Sequence, residues 1–220
     1  MIKVTRVAVI EYARSHWNFG KWLLGTQVIA VVNRQSSYWL LALFLSAAET
    51  GIFSACMNII LLSNPLMLGM SNILEPRLAR GFAAGGGREL RRIVHKIAIL
   101  MDAVMFVFTA ALYFLGEWLI QLLYANPAYA GNGTMITVLA AANVLTAISM
   151  SAGLALRPLG RTDLGFWNKL FDLVVLIGAT LLLITDYGLL GVAYAFLLTA
   201  VVDCVIRYAL FHRELNKVSN

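Results

Sequence analysis

The sequence predicts an all-α polytopic membrane protein, and two observations on composition and one on charge support this fold class. Of the 220 residues, 60% are hydrophobic and 13% are charged, whereas soluble domains carry about 25% charged residues. The mean hydropathy is +0.80. Lys and Arg also cluster around every second connection between the apolar segments, which is typical of chains that cross a membrane several times.

Six apolar segments are long enough, or nearly long enough, to cross a bilayer. They cover residues 19–45, 52–74, 93–115, 135–156, 170–184 and 189–210. The polar stretch "NRQSS" interrupts the first segment, and the fifth is close to the shortest length that crosses without local thinning. We interpret residues 1–18 as a cytoplasmic amphipathic linker, residues 19–210 as a six-helix transmembrane lobe and residues 211–220 as a cytoplasmic tail.

The distribution of charge predicts the orientation. All but one of the 17 Lys and Arg residues lie before the first segment, between the second and third, between the fourth and fifth, or after the sixth, or just inside these segments. The other connections contain Glu49, Glu117 and Asp186 but no Lys or Arg. Both termini are therefore expected on the cytoplasmic side. Because the positive residues are spread over four segments, nucleic acid is not an expected partner.

The sequence contains no pattern that predicts catalysis. None of the three histidines is spaced with a second metal ligand. The stretch "GFAAGGGRELRR" (residues 81–92) lacks the Lys and Ser or Thr of a phosphate-binding loop, and it predicts a flexible cytoplasmic hairpin. Cys56 and Cys204 fall at different depths of their segments, which predicts two free thiols. We therefore expect no enzymatic activity, no metal and no cofactor.

Charged residues inside the predicted spans are the main candidates for function. Arg34 lies about 20 Å along a helix from Lys21, and Asp102 lies about 16 Å from Arg91. Both charges are thus expected near mid-membrane, where such groups cost about 2.5–3.5 kcal/mol. Asp102 is expected either to pair with Arg34 or to bind a coupling proton or sodium ion. Asp203 has Arg207 four residues on, and this spacing predicts a structural ion pair.

The polar neighbours of Arg34 favour a binding site over a simple helix-joining pair. An anion-binding site that faces a polar cavity accounts for this many polar residues in one place. The alternatives are an ion pair that only specifies packing and asparagines that only form interhelical hydrogen bonds. The predicted substrate-binding residues are Arg34, Asn33, Gln35, Ser37 and Asn143.

The order of several segments resembles a known family over about residues 16–213. The segments are "HWNFGKWLL", "EPRLARGFAAGGGRELRRIV", "GEWLIQLLYANPAYAGNGT" and "LALRPLGRTD". They resemble the polysaccharide-exporter branch, the O-antigen and exopolysaccharide flippases, of the multidrug/oligosaccharidyl-lipid/polysaccharide (MOP) flippase superfamily. The resemblance implies a MATE-like fold in which two six-helix lobes enclose a cavity lined by cationic and polar residues. Arg34 fits such a role.

The resemblance also implies a function and a location. Such proteins move lipid-diphosphate-linked oligosaccharide across the bacterial cytoplasmic (inner) membrane during synthesis of lipopolysaccharide and other surface polysaccharides. This chain is similar to the carboxy-terminal lobe alone, so a second six-helix lobe is an expected partner: an amino-terminal half, a second copy, or another chain. The alternatives are a drug/cation antiporter of the same fold, which favours acidic cavity residues, and a non-transporting membrane scaffold or remnant.

Overall fold

The computed structural model describes the backbone of residues 6–219 and, within it, the side chains of residues 14, 16, 17 and 20–217. This part of the chain contains helices and no strand, which confirms the all-α prediction. Two short 3-10 helices, Leu61–Ser63 and Pro127–Tyr129, lie in the connections. The α-helices are α1 (Arg6–Phe44), α2 (Ala47–Ile60), α3 (Asn64–Tyr124), α4 (Gly133–Ala155) and α5 (Thr162–Ser219).

Helices α3 and α5 each fold back on themselves at a glycine. Gly86 has φ 61° and ψ −150°, and Gly188 has φ 55° and ψ −129°. Glycine adopts this region without the steric cost that a Cβ imposes. Side chains from both sides of each turn share one core cluster: Leu74, Leu78, Leu90 and Val94 in α3, and Leu176, Ala179 and Ala195 in α5. Each helix is therefore a hairpin with a first arm (residues 64–85, 162–187) and a second arm (residues 87–124, 189–219).

Among the described residues, three helical stretches are long and apolar enough to cross a membrane. They are Ala47–Tyr124, Gly133–Ala155 and Thr162–Lys217. Large apolar side chains are widely exposed on the bundle, as in Trp39 (58% exposed) and Phe114 (78%). These features support a membrane protein. Helix α1, which contains the first predicted span, is not among the three stretches, and the count of six spans stays a prediction.

The polar stretch that interrupts the first apolar segment does not interrupt the helix. Helix α1 runs without interruption from Arg6 to Phe44, through the whole polar stretch. Polar side chains alone do not end a helix, and the hydroxyl of Ser36 donates to the carbonyl oxygen of Asn33 at 2.8 Å within it. Helix α1 also continues through residue 18, and the boundary of the cytoplasmic linker there stays a prediction. Residues 1–5 of the predicted linker lie outside the described residues.

The structure also refines two other regions. Residues 81–92 reverse the chain between the second and third predicted spans, as predicted, but they are helical on both sides of a single non-helical residue, Gly86. The second predicted span is not one helix, because α2 ends at Ile60 and α3 begins after a 3-10 turn. Pro65 lies in the first turn of α3, where its missing N–H costs no hydrogen bond.

The packing order of the helices sets the position of every candidate residue. Helix α3 packs chiefly along α4, α4 packs along both α3 and α5, and α1 packs chiefly along α5. The connection before α4 is held by Glu117, whose carboxylate accepts hydrogen bonds from the backbone N–H groups of Gly131 (2.7 Å) and Gly133 (2.9 Å). Helices α1 and α3 therefore pack chiefly against different helices, α1 against α5 and α3 against α4.

Candidate functional site

Arg34 lies on the exposed side of α1. Helix α1 packs on α5, where the rings of Trp22 and Phe166 are 5.3 Å apart. Leu41, seven residues after Arg34 and so on nearly the same side of the helix, is fully buried, which places Arg34 at the edge of the exposed surface. Arg34 and Gln35 are exposed. Among the described residues, no carboxylate forms a salt bridge with Arg34.

The other predicted binding residues on α1 turn the opposite way. Ser37 is 0% exposed, and its hydroxyl oxygen has no hydrogen-bond partner within the described part of the chain. The side-chain nitrogen of Asn33 is also buried, and it too has no partner there. The predicted set on α1 is thus divided between an outward pair, Arg34 and Gln35, and an inward pair, Asn33 and Ser37.

Asn143 joins two helical segments. Its side-chain nitrogen donates to the hydroxyl of Ser63 at 2.7 Å, which connects α4 to the 3-10 turn before α3. In the same way, Asn58 donates to the hydroxyl of Tyr124 at 3.1 Å. These contacts match the alternative in which the asparagines form interhelical hydrogen bonds. The role of Asn143 in substrate binding stays a prediction.

Asp102 and Arg34 do not form the ion pair that their similar depth predicts. Asp102 is half-buried on the second arm of α3, and one of its carboxylate oxygens has no hydrogen-bond partner among the described residues. It lies close enough to Cys204 and Tyr208 of α5 to interact with them electrostatically. Depth along a helix does not specify which helix stands alongside, and α1 packs on α5 while α3 packs on α4.

Asp203 and Arg207 form the predicted ion pair, and two further residues hold it. Asp203 accepts a hydrogen bond from Arg207 Nε at 2.6 Å, from the Ser149 hydroxyl at 2.8 Å and from the Asn168 amide at 2.6 Å. Ser149 and Asn168 were not predicted, because a contact between different helices leaves no spacing in the sequence. The available signal was weak: Ser149 is a polar residue within the fourth apolar segment, and Asn168 lies just before the fifth.

A second ion pair completes the polar cluster. Lys169 donates to Asp172 at 3.0 Å, and Asp172 is 1% exposed. Two carboxylates and two cations therefore balance in formal charge, a condition that buried ionic groups require. Gly153 of α4 leaves room for the Arg207 guanidinium, since a Cβ there would overlap it. The cluster connects α4 with both arms of α5, which indicates a structural role.

The basic residues at the predicted cytoplasmic end of α4 and α5 are also paired. Arg157 donates to Glu75 of α3. Arg161 contacts Asp163 at 3.1 Å and Glu214 at 2.7 Å. Asp163 and Glu214 lie outside the predicted spans. The Arg161 guanidinium lowers the pKa of Asp163, and the pKa of Glu214 is lowered by its hydrogen bond from Lys217 and by Arg161.

Metal binding and disulfide formation find no support in the described residues. No group of three His, Cys, Asp or Glu side chains there could hold a metal ion. Cys56 and Cys204 are both free, as predicted.

Comparison with known proteins gives one match. No curated protein and no solved structure matches the chain. The model of a family described as polysaccharide biosynthesis protein matches residues 3–128, a stretch that includes α1, α2 and α3 and more than half of the 220 residues. This family is related to the MOP flippases, so the family-level resemblance is confirmed: the chain belongs to the polysaccharide biosynthesis protein family.

Proposed function

We propose that the chain is one lobe of a transporter that moves lipid-diphosphate-linked oligosaccharide across the bacterial cytoplasmic membrane. Membership of the polysaccharide biosynthesis family and the apolar helices support this proposal. The observation that carries it is the position of Arg34, exposed on α1 without a counter-charge among the described residues.

An arginine in this position needs a polar or anionic environment. Facing lipid at mid-membrane, Arg34 would cost about 2.5–3.5 kcal/mol. A water-filled cavity removes most of this cost, and an anionic substrate supplies the missing counter-charge. The planar guanidinium donates paired hydrogen bonds that match phosphate oxygens. We therefore assign Arg34 to the diphosphate or to an acidic sugar, with Gln35 beside it on the exposed side of α1.

The same face of α1 supports a second lobe as partner. Large apolar side chains are exposed along it, among them Leu24, Val28, Val31 and Trp39. A cavity with Arg34 in one wall needs an opposing wall, and a single lobe does not provide one. An amino-terminal half, a second copy and another chain are distinguished by the intact mass of the native particle extracted from membranes, compared with the 24.2 kDa of this chain.

The function is tested by replacing Arg34 and measuring translocation of lipid-linked oligosaccharide with the native particle in proteoliposomes. We expect Arg34→Gln to slow translocation roughly 10- to 100-fold, because a hydrogen bond to a charged group contributes about 1.5–3 kcal/mol. Arg34→Lys keeps the charge and should retain part of the activity.

Arg91→Gln is the matched control, because Arg91 is an exposed basic residue on the second arm of α3. Its translocation rate should equal that of the unchanged protein. Unchanged translocation in the Arg34→Gln protein at normal abundance would overturn the assignment. Efflux of cationic drugs that survives Arg34→Gln but not Asp102→Asn would instead support the antiporter.

A further inference from the structure

The hairpin of α3 forms an open surface cleft that extends from its turn along both arms. The cleft has a volume of about 1090 Å³ and lies between the two arms on either side of Gly86. Arg77 and Arg80 line it from the first arm, and Arg88 and Lys96 line it from the second. Its volume is slightly above the range for ligand sites, roughly 300–1,000 Å³.

The four cations of this cleft have no carboxylate partner in the described part of the chain. Among the described residues, none of Arg77, Arg80, Arg88 and Lys96 forms a salt bridge. Arg80 donates only to the backbone carbonyl of Pro76, at 3.2 Å. The one acidic residue in the lining, Glu89, contacts Arg92 at 3.7 Å, and Arg92 does not line the cleft. The cleft is therefore strongly positive.

The second arm adds an apolar wall. Ile93, Ile97 and Leu100 follow one another at helical spacing of four and three residues, so they lie on one face. Leu100 is 56% exposed. On the first arm, Gly81, Ala84 and Gly85 have small side chains or none, and at Gly81 and Gly85 this lets Ile93 and Glu89 of the second arm pack closely against the first arm. The cleft is thus basic along both arms from the turn as far as Arg77 and Lys96, and on the second arm it becomes apolar beyond Lys96, at Ile97 and Leu100.

We propose that this cleft binds the phosphate headgroup of an anionic phospholipid, with the start of an acyl chain along Ile97 and Leu100. Arginine guanidinium groups match phosphate oxygens in geometry and charge. Basic pockets between membrane helices on the cytoplasmic side, where the charge distribution places this turn, are suited to such headgroups. A soluble phosphate would use the basic half alone and leave the apolar wall in water. The assignment does not depend on the proposed transport function.

The test is a lipid titration of the purified full chain in neutral detergent, read by native mass spectrometry. The probes are phosphatidylglycerol, phosphatidylcholine and inorganic pyrophosphate. Phosphatidylglycerol should bind best. The double variant Arg77→Gln/Arg80→Gln should bind it about 30-fold more weakly, from the usual contribution of each basic residue near an anionic headgroup. The matched control, Arg91→Gln/Arg213→Gln, loses the same charge outside the cleft and should bind like the unchanged protein.

A third variant, Arg88→Gln/Lys96→Gln, removes the cations of the other arm and should also weaken binding. If the Arg77→Gln/Arg80→Gln protein loses helicity by circular dichroism, the lipid affinity of this third variant is compared with that of the unchanged protein instead. Equal weakening in the control variant would show a diffuse positive surface and overturn the proposal. Equal affinity for phosphatidylcholine would also overturn it, and so would pyrophosphate binding as tightly as the lipid, since that would assign the cleft to a free phosphate.

Discussion

Two groups of basic residues at the predicted cytoplasmic side differ in whether they contact carboxylates. A cleft of about 100 Å³ between α1, α4 and α5 is lined by Arg157, Arg161 and Arg207, and each of the three contacts a carboxylate. The cleft at the α3 turn is about ten times larger, and its four cations have no carboxylate partner among the described residues. The preference of Lys and Arg for the cytoplasmic side explains where both groups lie. Only their neighbours decide whether the cations join helices or remain available to a ligand.

The carboxylates that contact the paired arginines come from helix segments that are distant in sequence or on a later turn of the same helix. Asp203 and Glu214 come from the second arm of α5, and Glu75 comes from the first arm of α3. Asp203 and Glu214 are only 5% and 6% exposed. Carboxylates at such depth are stabilised by cations, and the cations in turn are positioned by them. Among the described residues, the four cations of the α3 cleft form no such pair, and the one carboxylate in its lining, Glu89, contacts Arg92 instead.

The largest expected effect comes from removing the buried carboxylate of the paired group. Asp203→Ala leaves Arg207 without its counter-charge and Ser149 and Asn168 without their acceptor. We expect the free energy of unfolding, measured by circular dichroism in mixed detergent, to fall by about 3 kcal/mol or more. In contrast, Arg77→Gln at the α3 turn should change it by less than about 0.5 kcal/mol, since an exposed residue without an ion pair is removed.

A double replacement separates the loss of a charge pair from the loss of packing. Asp203→Leu together with Arg207→Met replaces the pair by apolar side chains, and it should recover most of the stability that Asp203→Ala loses. If the double variant is as unstable as Asp203→Ala, then the hydrogen bonds to Ser149 and Asn168, and not the unpaired arginine, account for the loss.

The hairpins of α3 and α5 can also be compared in how closely their arms pack, at Gly81 near the turn of α3 and at Gly191 near the turn of α5. A Cβ at residue 191 would overlap the backbone carbonyl of Leu183, which cannot move without displacing the arm. A Cβ at residue 81 would overlap only the end of the Ile93 side chain, which can rotate. We expect Gly191→Ala to destabilise the protein by about 2 kcal/mol. Gly81→Ala should be nearly neutral, because the gain in helix propensity of about 1 kcal/mol offsets the rearrangement.

Gly178→Ala is the control for these two variants. It lies in the first arm of α5 with no atom within 4 Å of an added Cβ, so it reports the propensity effect alone. A Gly191→Ala protein as stable as the Gly178→Ala protein would show that the two arms of α5 separate easily at their turn.

Contacts within one helix could be predicted from the sequence, and contacts between helices could not. The pair Asp203–Arg207 follows from a four-residue spacing, and the all-α fold follows from composition. Arg34 and Asp102 have similar depth, but depth leaves the neighbouring helix undetermined. The polar stretch interrupts the apolar segment but not the helix α1, because polar side chains do not themselves end a helix, whereas the reversals within α3 and α5 occur at Gly86 and Gly188.

The smallest effect in this comparison should appear as a dependence of stability on pH. The Arg161 guanidinium lowers the pKa of Asp163 from its usual 3.8. The pKa of Glu214 is lowered from its usual 4.5, chiefly by its hydrogen bond from Lys217. The folded protein therefore holds these protons less tightly than the unfolded chain. The stabilisation is fully present above the usual pKa values and is lost as the pH falls through the lowered ones.

Arg161→Gln should remove part of this pH dependence. At neutral pH it should lower the free energy of unfolding by about 1 kcal/mol or less, because Arg161 and Asp163 are about one-third exposed and screened by solvent. Below pH 3.8 the variant and the unchanged protein should converge, since both carboxylates are then increasingly protonated. Arg77→Gln, at the turn of α3, should leave the shape of the pH profile unchanged. If the Arg161→Gln profile instead ran parallel to that of the unchanged protein, Arg161 would contribute nothing through these carboxylates, and the distinction between paired and unpaired cations would fail at this position.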